Sequence, residues 1–163
     1  MEKTINSKIR KVTSKDITNI VKLHRKVVSQ TNAKLYEPNI IKEWLSQITT
    51  ENVKNQLKVV TTSWYILELD SKIIGFCQFP IAKRIIYQLN IDPEYQGKGY
   101  GKTLYNFMEK KFIESEAKEI ELNSTLNAVT FYEHLGFKIK QNIKYKLIDT
   151  EMDMFEMSKI LGS

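Results

Sequence analysis

The chain has 163 residues, 42% of them apolar and 27% charged, with a formal net charge of +6. That length suits one domain spanning residues 1–163, and a chain near this size buries roughly two-thirds of its unfolded surface without needing staples. A lone cysteine, Cys77, excludes an internal disulfide, and no stretch approaches the ~18 apolar residues of a membrane helix. Met1–Lys11 alternates charged and polar residues and lacks the apolar segment of a secretory signal, so a cytoplasmic protein with no membrane partner is expected. The positive charge favours an anionic partner: nucleic acid, an acidic surface or a polyphosphate ligand. The lysines are spread along the chain, however, which reads as a solvated surface.

In chain order, Lys8–Val12 predicts a strand. Ser14 is placed to cap a helix whose apolar residues Ile17, Ile20, Val21, Leu23 and Val27 recur at helical spacing. Pro38 suits the first turn of a second helix carrying Ile40, Ile41, Trp44, Leu45 and Ile48, and Glu51–Val60 predicts a short third. Trp64–Leu69 and Lys72–Phe79 read as a hairpin turning at Asp70-Ser71. Arg84–Ile91 predicts one further strand, and Gly99 to about Ala117 a helix with Leu104, Phe107, Met108 and Phe112 on one face. Lys118–Asn123 predicts a strand, Leu126–Leu135 a helix stopped by Gly136, and Phe137–Ile148 and Met152–Ile160 the closing strands. The order predicts an α/β (α+β) fold: a central mixed sheet flanked by helices.

The most informative segment runs Leu89-Asn90-Ile91-Asp92-Pro93-Glu94-Tyr95-Gln96-Gly97-Lys98-Gly99-Tyr100-Gly101-Lys102-Thr103. A strand ends at a proline, three glycines follow at alternate positions, and an amphipathic helix begins at once. Glycines let a backbone approach a ligand closely, and the helix start offers free N–H groups at the positive end of its dipole. Together they make a pyrophosphate site, to which Lys98 and Lys102 add charge. Two commoner phosphate loops fail on inspection. A nucleotide-triphosphatase loop ending in Gly101-Lys102-Thr103 would need glycine where Gln96 stands, and a dinucleotide fingerprint would need glycine at Lys102.

Gln96-x-x-Gly99-x-Gly101, preceded by Leu89-x-Ile91-x-Pro93, resembles the acyl-CoA binding motif of the GNAT N-acetyltransferase superfamily. Ala128-x-x-Phe131-Tyr132, followed by Gly136-Phe137, is similar to that family's second signature. The resemblance covers about Ile9 to Lys159. It implies a GNAT-like, mostly antiparallel sheet, and acetyl-CoA as cosubstrate with no metal. It implies that the backbone of Leu89 and Ile91 pairs with the pantetheine arm and that amides from Gln96 through Gly97, Lys98, Gly99 and Tyr100 to Gly101 hold the pyrophosphate. Lys102 and Thr103 would reach phosphate oxygens from the first helical turn. Tyr132 falls where the family places a general acid. A leaving thiol with a pKa of about 8.5 and a phenol of about 10 can share a proton across a hydrogen bond.

This sequence departs from the family at two points. The signature's asparagine is Thr125 here, which leaves Asn123, Thr125 and Asn127 as alternatives for the cofactor contact. Where some members carry a glutamate base this chain has Ile85, so no base carries over; Glu68, Tyr87 and Glu94 are candidates by location, and water is another. Phe131 and Leu135 read as core and His134 as surface. With His24, His134 and Cys77 as the only histidines and cysteine, no metal site is readable. The implied activity is transfer of an acetyl group to a primary amine of a small molecule or peptide. Tyr36, Trp44, Trp64, Tyr65 and Phe79 are the aromatics that could line an acceptor pocket, and the net charge argues mildly against polycationic acceptors. A non-catalytic CoA-binding domain of the same fold is the alternative, and a homodimer stays open. A nucleic-acid-binding module is disfavoured, because no patterned basic face with interleaved aromatics is present.

Overall fold

The computed structural model describes residues 6–162; Met1–Ile5, the start of the polar N-terminal segment, and Ser163 lie outside the described residues. Strand β1 (Ser7–Lys11) leads through a 3-10 turn into α1 (Ile17–Gln30). The helix entry is capped one residue earlier than expected, by Thr13 in place of Ser14. The Thr13 N–H donates to the Asp16 carboxylate at 2.7 Å, closing a reciprocal capping box. Arg10 then holds that carboxylate with two bonds of 2.8 and 2.9 Å, which keeps the Asp16 pKa below its usual range. Helices α2 (Pro38–Gln47) and α3 (Thr50–Leu57) follow, the second of them shorter than the sequence predicts.

Strands β2 (Ser63–Leu69) and β3 (Lys72–Phe79) form the expected hairpin, with Asp70 and Ser71 both at positive φ. Within β2 the run Trp64–Leu67 is apolar and buried without interruption because it is covered on both faces. Trp64 and Ile66 pack with α1 and α3, while Tyr65 and Leu67 pack under the later helices. Helix α4 (Tyr100–Glu114) supplies Leu104, Tyr105, Met108 and Phe112 to that second cluster. Strand β6 (Glu119–Thr125), helix α5 (Val129–His134), and strands β7 (Lys138–Lys146) and β8 (Glu151–Ile160) complete the chain. The helix predicted over Leu126–Leu135 starts as a 3-10 turn, and Gly136 ends it at φ 99°.

The predicted strand Arg84–Ile91 is two strands in two sheets. Ile85–Ile86, β4, runs parallel to β6; Gln88–Ile91, β5, runs antiparallel to β3. At the switch, Tyr87 N–H donates to the Gln78 carbonyl at 2.9 Å. The expected sheet is therefore present as two four-stranded sheets, ordered β1-β2-β3-β5 and β4-β6-β8-β7, with β4–β6 the one parallel pairing among the described residues. Both β4 and β5 are edge strands, so the sheets part beyond Tyr87 and leave a cleft between them.

The register Gly75↔Ile91 sets how close β5 comes to β3. A Cβ on Gly75 would lie 2.6 Å from Ile91 Cδ1 and 3.0 Å from the Asn90 carbonyl oxygen. Gly75→Ala is expected to cost about 1–3 kcal/mol by overpacking. Urea denaturation checks this through a lower midpoint at unchanged slope; an unaltered midpoint would mean that β5 can retreat freely.

Candidate active site

One cavity of about 1470 Å³ occupies the cleft and continues beneath α1 and the α2–α3 region. Its phosphate end is the glycine loop. Gly97 and Gly99 have φ of 73° and 90°, and a Cβ on either would meet nothing within 4 Å. The backbone is thus bare where a ligand would press against it. Among the described residues, the N–H groups of residues 97–102 make no bond within the protein, and they sit at the start of the 15-residue α4. This geometry suits a pyrophosphate. Gly101 differs: a Cβ there would lie 3.2 Å from the Phe131 ring, so its smallness also seats α5 against α4.

The structure gathers most of the residues singled out in the sequence around this cavity. Leu89, Ile91, Gln96, Gly97, Gly99, Gly101, Lys102, Asn123, Thr125, Asn127 and Tyr132 all line it. Lys98, Tyr100 and Thr103 do not. The Lys98 ammonium sits 5.5 Å over the Tyr95 ring, Tyr100 packs edge-on against Tyr95, and the Thr103 hydroxyl bonds the Gly99 carbonyl. Gln96 is used differently from expectation. Its N–H is engaged by the Pro93 carbonyl, and its side chain donates to the Ile91 carbonyl at 2.9 Å and to Thr31 at 3.3 Å, which closes the loop. Of the three alternatives on β6 and after it, the Asn127 oxygen already accepts from Asn32 at 2.8 Å. Asn123 and Thr125 make no side-chain bond among the described residues.

Tyr132 lines the cavity with a relative exposure of 7%. Burial raises its pKa well above 10, so its hydroxyl stays protonated at neutral pH. Cys77 is also buried, and its thiol is pushed up to about 12, which makes it an inert core group. Two base candidates lie elsewhere: Glu68 is tied to Arg10 at 2.8 Å, and Glu94 lies 3.6 Å from Lys26 on the exterior. Tyr87 does line the cavity, but no aspartate or glutamate does among the described residues.

The family model described as an acetyltransferase (GNAT) domain matches residues 29–161. The chain belongs to the GNAT acetyltransferase family. Like other members it is an acetyl-CoA-dependent N-acetyltransferase. It is 27% identical over 162 residues to spermidine N(1)-acetyltransferase of Thermoplasma acidophilum, covering 93% of this chain and 95% of the relative. The crystal structure of PaiA N-acetyltransferase from the same organism, in complex with coenzyme A, superposes with a TM-score of 0.79 at 26% identity, covering 96% and 99% of the two chains. A GCN5-related N-acetyltransferase from Rhodopseudomonas palustris shares the fold at a TM-score of 0.88 and 20% identity, with 96% of each chain covered.

The far end of the cavity is aromatic. Trp64 stacks on Phe76 at 6.0 Å, and the His24 ring meets the edges of Phe76 and Trp44 at 5.6 and 6.4 Å. Of the five aromatics noted in the sequence, Trp44 and Trp64 line this GNAT cavity. Tyr65 and Phe79 face the opposite core, and Tyr36 is buried as a bridge. The Tyr36 hydroxyl donates to the Asp153 carbonyl at 2.7 Å and accepts from Leu126 N–H at 3.0 Å. Glu43 accepts from the N–H groups of Ile148, Asp149 and Thr150, and Arg25 holds the carbonyls of Leu45 and Ile48. These bonds fix α2 against the β7–β8 turn and α1. Asn32, His24, Gln47 and Gln78 also shape the site, and no sequence motif marks them.

Two outcomes are expected here. Gly99→Ala imposes about 1–2 kcal/mol of backbone strain and places a methyl in the bare surface. It should weaken CoA binding about tenfold in calorimetry while lowering the melting temperature by only about 2–8 °C, so the protein stays folded at 25 °C. His24 is held neutral, its pKa lowered from 6.5 to about 4 by burial. The unfolded state therefore binds more protons between those values, and stability should fall as the pH drops from 6.5 toward 4. His24→Phe should flatten that part of the melting-temperature profile.

Proposed function

We propose that the chain transfers the acetyl group of acetyl-CoA to a primary amine of a small molecule or peptide by direct attack, as a single domain with Tyr132 as general acid. The observation that carries this reading is Tyr132 itself: a buried, protonated hydroxyl on the wall of the same cavity that holds the bare glycine loop. In this reading the free backbone edge of β5, at Leu89 and Ile91, guides the pantetheine arm. Amides 97–102 and Lys102 hold the phosphates. Asn123 and Thr125, unpartnered at the cavity edge, take the remaining polar contact.

The amine nitrogen attacks the thioester carbonyl; a C–N bond forms and the C–S bond breaks. Tyr132 donates its proton to the departing sulfur, and the proton released by nitrogen restores the phenol. One proton leaves nitrogen and one arrives at sulfur, so a neutral amine needs no further base. Water carries the proton when the amine arrives as an ammonium.

Tyr132→Phe keeps the ring and its edge contacts with Phe131 and Phe137. It should lower kcat and kcat/KM together by about 10²–10⁴-fold, with CoA affinity and melting temperature unchanged. Thiol-release kinetics, with single-turnover runs to separate product release, make the measurement. Unchanged turnover would return Tyr132 to a packing role.

A further inference from the structure

Acyl transfer puts negative charge on a second atom besides sulfur. When nitrogen attacks the thioester carbonyl, the C=O π electrons move onto oxygen, and that oxygen needs a hydrogen-bond donor until the C–S bond breaks. Tyr132 serves the sulfur, so the donor for oxygen comes from elsewhere on the wall.

A row of three side-chain amides lies beside the free edge of β5. Gln78 and Gln88 are direct partners across β3 and β5, and Asn90 follows two residues along, so all three project from one face of the sheet. That face carries Phe76 and packs against α1, whereas Cys77, Leu89 and Ile91 project from the other. The row is bonded head to tail. The Asn90 amide donates to the Gln88 oxygen at 3.3 Å, and the Gln88 amide donates to the Gln78 oxygen at 2.7 Å. The Gln78 backbone is fixed as well, its carbonyl accepting from the Tyr87 N–H. Each bond polarises the next, so the row ends in strengthened N–H donors on Gln78. Those donors make no bond among the described residues. Gln78 is only 7% exposed, yet its Nε2 is not enclosed as the Trp64 indole N–H is; it opens on the cavity that all three amides line.

In the acetyltransferase reading, the pantetheine arm leaves the glycine loop and follows β5 past Ile91 and then Leu89. The four residues of β5 span about 13 Å, and the thiol end of the arm comes level with Gln88, opposite Gln78. Resting on that reading, we infer that Gln78 is a further catalytic residue. Its side-chain amide donates to the thioester carbonyl oxygen as charge develops there, and Gln88 is the positioning residue that holds and polarises it. The electron pair returns to re-form the acetyl C=O as sulfur leaves, so Gln78 ends unchanged.

The test is thiol release from acetyl-CoA with n-butylamine, benzylamine or triglycine, run on the wild type and on Gln78→Leu, Gln78→Glu and Gln88→Leu. Gln78→Leu should lower kcat about 10²-fold, with KM for acetyl-CoA and calorimetric CoA affinity changed less than about threefold. Gln88→Leu should lower kcat about 3–10-fold. Gln78→Glu still accepts from Gln88 and keeps the row, but an ionised carboxylate offers no donor, so at pH 8 it should be as slow as Gln78→Leu. Its rate relative to wild type should recover on acidification, as the carboxyl gains a proton to donate, and that of Gln78→Leu should not. Melting curves accompany all three; should Gln78→Leu be unstable, the Gln78→Glu pH profile carries the result alone. Gln78→Glu as active as wild type at pH 8, or a Gln78→Leu loss confined to KM, would overturn the inference and leave the acetyltransferase reading standing. No thiol release by the wild type with any of the amines, while CoA still binds, would overturn both.

Discussion

A strand that leaves one sheet for another must surrender its partners on one side before it gains them on the other, and in this chain that exchange happens at Tyr87. Ile85 and Ile86 pair with β6, while from Gln78 onward β3 has already claimed the next segment through the Tyr87 N–H and the β5 register. Among the described residues, none fills the space between β5 and β6 beyond that point, where the cavity lies. Backbone edges that face such a gap seek hydrogen bonds, and the glycine loop, the start of α4 and Tyr132 are all arranged along its walls. Closing the gap with continuous pairing would remove the cavity, so the candidate active site depends on two strands that fail to stay together.

That break is also what the sequence conceals. Arg84–Ile91 reads as one strand because β-branched and apolar residues run through it without a turn signal; which sheet each half joins depends on strands far away in the chain. Local chemistry was easier to read. The glycine loop declares itself through alternate glycines before an amphipathic helix, and the Asp70-Ser71 turn lies where two apolar runs meet. The entry to α1 was readable in more detail than polar type alone gives. Thr13 and Ser14 can both cap, but only Thr13 has an acidic residue three positions on, and Asp16 decides the matter. Neighbours in a loop can be separated by which way they turn, and so Lys98, Tyr100 and Thr103 fall away from a cavity that Gly97, Gly99 and Lys102 line.

The engagements of the carboxylates explain why no aspartate or glutamate lines the cavity among the described residues. Asp16 and Glu68 converge on Arg10, Asp92 holds Lys26 at 2.7 Å, Glu109 holds Lys159, and Glu43 gathers three backbone N–H groups. Each of these acids is committed to holding one element against another. Charge that serves the scaffold in this way is unavailable to the cavity, and Glu68 and Glu94, selected only by their place in the chain, belong to that scaffold.

The consequence reaches the chemistry. In a wall without acidic groups, a protonated amine gains nothing by entering and loses its hydration, whereas a neutral amine loses less and arrives ready to attack. Burial acts on Tyr132 in the same direction, because a phenolate is as poorly accommodated there as an ammonium. In the proposed mechanism Tyr132 thus enters the bond-making step in its neutral form. Charge in that mechanism appears as the C–S bond breaks, and the stabilisation that the Tyr132 hydroxyl supplies is concentrated in the transition state.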